Sequence, residues 1–161
     1  MKFLNFTEWL TSSGSPLSKA CVLALSNVKR HKITILTARD DLSTSQISEG
    51  IRVVKTDYSD NSLLAEFSGQ DVVVSTLEDS ALKLESRVIE VTICSSVIRF
   101  ILSDFSIDTA DRLLMKLVYL LQKKVERQSQ LKKVVADHLN FSYTFLSSGL
   151  WFDHVGRIFV S

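Results

Sequence analysis

The densest set of anion-meeting groups in this sequence lies near its start, at Ser12 to Ser18 (SSGSPLS). Pro16 suits the first turn of a helix. A helix start there sets free N–H groups beside the hydroxyls of Ser12, Ser13, Ser15 and Ser18, with Gly14 and Leu17 in the same turn. That pattern leaves weak anion binding open. A second polar pair, Ser75 and Thr76, stands where the apolar run Val72–Val74 stops. Arg39 follows the run KITILT and opens a polar loop, where a solvated arginine is an ordinary occupant. Other chemistry finds no support. His31, His138 and His154 are far apart and read as surface or filler, and no Ser/His/acid order with an elbow glycine occurs. Cys21 and Cys94 lack metal-ligand spacing and read as small buried apolar residues in a reducing cytosol.

The elements that must position these groups are organised around residues 50–76. Ile51, Val53 and Val54 begin an apolar run, and Tyr58 to Ser62 supplies helix-start chemistry. Leu63, Leu64 and Phe67 then read as one helical face, Gly69 ends the helix, and Val72–Val74 suit a strand covered on both faces. Two buried strands joined by a helix make a parallel βαβ unit with a right-handed crossover.

The rest reads as more of the same. Residues 2–11 are expected to form a first strand, although their periodicity is poor and Glu8 suits a central strand badly. A helix over 17–28 would present Ala20, Leu23 and Ala24, and 32–37 is a strand rich in β-branched residues. A helix over 79–95 carries Ala81, Leu84, Val88 and Val91 on one face, and 97–102 and 141–146 are strands. Residues 110–138 lack Gly and Pro and read as one long helix or two, with Lys123, Lys124, Arg127, Lys132 and Lys133 on a solvated face. The expected fold is α/β, a doubly wound parallel sheet, whose ligands sit at the carboxyl ends of the strands near the switch in strand order.

At 161 residues the chain is read as one domain. Nineteen basic residues against 18 acidic ones give a net charge of +1, which asks for neither nucleic acid nor an acidic membrane surface. No apolar stretch is long enough to span a bilayer, and Glu8 interrupts what a signal core would need. A cytoplasmic location is expected.

The order GIRVVKTDYSD, SLLAEFSGQDVVVST, VIRFILSDFSIDT and LNFSYTFLSSGLWFD resembles the NmrA-like and isoflavone-reductase-like family of atypical short-chain dehydrogenases. The resemblance runs from about residue 12 to the end. It implies a Rossmann domain that binds NADP(H), or else NAD, and a small-molecule substrate held by a further C-terminal region. This chain is read as ending, after about residue 150, before most of that region.

Departures from the family pattern matter as much. The family's GxxGxxG falls on Ser12, Ser15 and Ser18, where side chains are expected to crowd the pyrophosphate and the helix packing. Restoring all three glycines is expected to tighten NADPH binding. Arg39 stands where the family's arginine meets the NADP 2′-phosphate, with Ala38 as an extra residue before it. The family's active-site lysine falls on Gln122, whose amide is no acid or base. Lys123, next along, is the candidate substitute and is turned by about 100° on a helix.

These readings leave a NADP-dependent reductase with weak binding and turnover, a non-catalytic dinucleotide-sensing regulator, and a degenerate copy without activity. Whether the chain is an enzyme stays open here. Trp151, Phe152 and Phe159 are expected to leave an apolar patch, which fits either a homo-oligomer or an aggregation-prone monomer.

Overall fold

The structure, a computed structural model, describes residues 2–6, 16–38, 50–77, 82–102, 119–138 and 140–145. In chain order these form β1 (Lys2–Phe6), α1 (Pro16–Asn27), β2 (Lys32–Thr37), β3 (Ile51–Lys55), α2 (Asp60–Phe67), β4 (Val72–Ser75), α3 (Leu82–Cys94), β5 (Arg99–Leu102), α4 (Tyr119–Asp137) and β6 (Ser142–Phe145). The strands lie in one sheet in the order β3-β2-β1-β4-β5-β6, and every described pairing is parallel. This is the expected doubly wound α/β fold. The strand order runs one way from β1 to β3 and the other way from β4 to β6, so the switch falls between the neighbours β1 and β4.

Residues 51–55 and 72–75 are parallel members of that sheet, as the sequence led us to expect, but they are not neighbours: β2 and β1 lie between them. The weakly patterned opening segment supplies the central strand, in register Phe3 to Val72 on one side and Phe3 to Ile33 on the other. A central parallel strand needs no alternation, because helices lie over both faces.

The middle unit follows local chemistry closely. Ser59 caps α2 by accepting from the Ser62 N–H, and Gly69 ends it at φ 72°. The Asp57 carboxylate accepts from the Ser59 N–H at 2.9 Å, which holds its pKa below the usual carboxylate value. Tyr58 sits at φ 55°, a strained conformation for a bulky residue, while its side chain is buried in the core.

One core fills the sheet face covered by α2, α3 and α4, with Leu63, Phe67, Val88, Ile89, Phe100 and Leu131 fully buried in it. Several sequence expectations need correction against it. Leu64 does not share the buried face; it is exposed, because one residue turns a helix side chain about 100° away from Leu63. In α1 the face bearing Ala20, Leu23 and Ala24 is exposed, while Ser18 is buried and Cys21, Val22 and Leu25 are half-buried. That helix is apolar on more than one side, so composition alone did not choose its face. The strand β3 is half-buried, as an edge strand is, rather than buried as expected. Cys94 is exposed, and Cys21 is half-buried with its thiol pKa raised by desolvation. Arg127 is 4% exposed and does not belong to the solvated face that Lys132 and Lys133 do form. Trp151, Phe152 and Phe159, and with them the expected apolar patch, lie outside the described residues.

Candidate functional site

The site is built at the end of β4, beside the switch in strand order. Alternation along a strand sends successive side chains to opposite faces. Ser75 points with Val73 toward the face of α3, where its hydroxyl donates to Glu85 Oε1 at 2.7 Å. Thr76, the next residue, meets α1 on the other side, and Ser18 Oγ donates to Thr76 Oγ1 at 2.9 Å. All four of these residues are buried. The end of β4 is thus held from both layers at once.

At Ser18 the structure shows a specific contact of the side chain. Ser18 lies within the first turn of α1, and its hydroxyl is turned into the bond with Thr76. A glycine would lose that bond and add backbone entropy in a helix, each worth roughly 1 kcal/mol. Ser18→Gly is therefore expected to lower stability by about 1–2 kcal/mol, read from urea denaturation. An unchanged midpoint would show that the bond contributes nothing.

Glu85 continues the network. Its second oxygen, Oε2, lies 3.0 Å from Arg127 Nη1 on α4, and both side chains are at least nine-tenths buried. The guanidinium hydrogens are not aligned for a hydrogen bond in this contact, and Nε and Nη2 have no hydrogen-bond partner among the described residues. The two residues attract mainly as charges in a site poor in water.

The structure brings together Ser18, Ser75 and Thr76 of the residues singled out in the sequence. Leu17, Gln122 and Lys123 lie in α1 and α4 with only their backbone described. Ser12, Ser13, Gly14, Ser15 and Arg39 lie outside the described residues. Sequence reading missed Glu85 and Arg127. A signal was present: Glu85 stands three residues before Val88 and Arg127 four before Leu131, so each falls on an apolar helical face.

A groove of about 1030 Å³ opens elsewhere, at the amino edge of the sheet between Ile93, Ile98, Arg99 and Asn140. It is at the opposite end of the strands from Ser75 and Thr76 and is not part of this site. Among the described residues no group of acidic residues, histidines and cysteines could hold a metal ion, and no helix is long and apolar enough to cross a membrane.

No family model matches the chain. The oxidoreductase aprR of Aspergillus flavus is 32% identical over 102 residues, covering 62% of this chain and 34% of that protein. Leucoanthocyanidin reductase of Vitis vinifera, solved as its binary complex with NADPH, gives a TM-score of 0.69 at 15% identity over 91% of this chain and 47% of that one. Triphenylmethane reductase of Citrobacter sp., solved with NADP(H), gives 0.68 at 12% identity over 96% of this chain and 52% of that one. The chain spans about a third of the curated relative and about half of these solved structures. A further likeness, with a TM-score of 0.66 at 18% identity, is to the pinoresinol-lariciresinol and phenylcoumaran benzylic ether reductases described with their relationship to isoflavone reductases. The chain thus has a doubly wound fold of Rossmann type, the fold it shares with these reductases.

Proposed function

We propose that this chain is a dinucleotide-binding module that takes NADP(H) at the carboxyl ends of β1 and β4, with weakened affinity and little turnover of its own. The observation that carries the reading is the meeting of Ser18, Ser75 and Thr76 at the switch in strand order, where ligands of such sheets bind. The first turn of α1 would face the pyrophosphate with its free N–H groups. What supports a place for Ser18 in this turn is its side chain, which is buried against Thr76. Arg39 would meet a 2′-phosphate. NADP(H) itself supplies hydride chemistry when bound. The neighbours solved with NADPH and NADP(H) support the choice of cofactor.

Non-catalytic sensing is the second reading, and Gln122 favours it. An amide at the family's lysine position can donate and accept hydrogen bonds but cannot move a proton at neutral pH. Lys123 is the residue to remove in testing turnover.

Calorimetric titration with NADPH and NADH tests the proposal, with NADPH expected to bind in the range of tens of micromolar or weaker, about −6 kcal/mol. Ser12→Gly with Ser15→Gly is expected to tighten NADPH about tenfold, close to 1.4 kcal/mol, with Ser18 left in place. No heat with either nucleotide, even after both reversions, would sink the reading.

A further inference from the structure

We propose that Glu85 and Arg127 are positioning residues for the dinucleotide site, acting on it through Ser75. The inference rests on the reading of that site as a nucleotide crevice. Its starting point is a mismatch between where the pair lies and what it contributes as packing. The pair is buried between α3 and α4, helices that also bring Val88, Ile89 and Leu131 into the core, and a buried ion pair gives little stability beyond well-packed apolar side chains of similar volume. The pair is also imperfectly satisfied, since Arg127 Nε and Nη2 find no hydrogen-bond partner among the described residues. Stability alone therefore does not account for it.

Its connections do. Arg127 on α4 fixes one oxygen of Glu85, and the other oxygen receives the hydroxyl of Ser75, the last residue of β4. The strand ends at Ser75. The next residue, Thr76, receives Ser18 from the first turn of α1. A line of five side chains thus runs from α4 through α3 and the end of β4 to α1, crossing the sheet at the switch in strand order. A carboxylate suits the middle of that line, because its two oxygens can serve two partners while it keeps one orientation. If Glu85 moves, Ser75 loses its acceptor and the turn carrying Thr76 loses its register against α1.

The experiment uses the full chain and two variants. Glu85→Met with Arg127→Met replaces the pair by apolar side chains of similar volume. Ser75→Ala cuts the connection to the strand and leaves the ion pair intact, and it carries the test should the double variant not fold. Melting temperature, NADPH affinity by calorimetry, and amide hydrogen exchange at Ser18, Thr76 and Leu77 are read for each. Both variants are expected to melt within a few degrees of the parent, to bind NADPH at least about fivefold more weakly, and to exchange about tenfold faster at Thr76 and Leu77. A fall in melting temperature with affinity and exchange unchanged would overturn the proposal, for the pair would then be structural only. Should the parent chain take up no NADPH, the reading of function fails by itself, and the exchange rates alone decide. Faster exchange confined to these residues then supports the positioning role, and unchanged exchange overturns it.

Discussion

Arg127→Met alone is expected to destabilise the chain by about 3–5 kcal/mol, because it leaves the Glu85 carboxylate buried without its cation. Glu85 is 2% exposed and Arg127 4%, so water cannot take the arginine's place without opening the interface between α3 and α4. The Ser75 hydroxyl, which donates at 2.7 Å, would remain, but a neutral donor does not replace a full positive charge beside a buried carboxylate. Lys132→Met and Lys133→Met remove the same kind of charge from the exposed side of the same helix and are expected to stay within about 0.5 kcal/mol of the parent. Urea denaturation of the three variants checks this. A loss for Arg127→Met no larger than that of the two lysine variants would mean that the guanidinium reaches solvent and that the buried pair does not persist. Against a total stability of roughly 5–15 kcal/mol for a domain, the expected loss is a large share of what holds the chain folded.

The contrast between Arg127 and Lys133 also marks how far the sequence could be read. Strand and helix order was legible from β-branched runs such as KITILT and VVVS, and from the cap and stop of α2 at Ser59 and Gly69, because these are local signals. Which face of α1 meets the sheet was not, since Ala20, Leu23 and Ala24 compete with Cys21, Val22 and Leu25 and only tertiary packing decides between them. The position of β1 at the centre of the sheet was hidden for a related reason: its pairing with β2 and β4 depends on residues far away in the chain. At the candidate site, Ser75 and Thr76 stand where an apolar run ends. Their opposite engagements, with Glu85 and with Ser18, follow from strand alternation once helices are placed on both faces. Glu85 and Arg127 escaped because a charged residue on an apolar face reads as a breach in the pattern until its partner, distant in the chain, is brought beside it.

Phe67→Ala is expected to cost about 3–5 kcal/mol, the range for removing a large buried aromatic and leaving a cavity that closes only in part. Phe67 is the last residue of α2 and has no exposed surface. The local backbone gives it little room to adjust. The Gln70 N–H donates to the Phe67 carbonyl at 3.0 Å, the Ser68 N–H donates to the Leu64 carbonyl at 3.1 Å, and Gly69 turns the chain at φ 72° into β4. A helix end pinned in this way cannot slide inward to fill the space. Collapse would have to come from α3, whose Val88 and Ile89 are themselves fully buried in the same core. Leu64, three residues earlier on the same helix, serves as the control: it is 38% exposed, and Leu64→Ala is expected to change stability by roughly 0.5 kcal/mol or less. Phe67→Leu, which keeps most of the volume, should fall between the two at about 1–1.5 kcal/mol. Chemical denaturation of the three variants gives the ordering directly. If Phe67→Ala and Leu64→Ala proved equal, α2 would have to lie on the sheet by a different face, and the core built from Leu63, Phe67 and Val88 would be wrong.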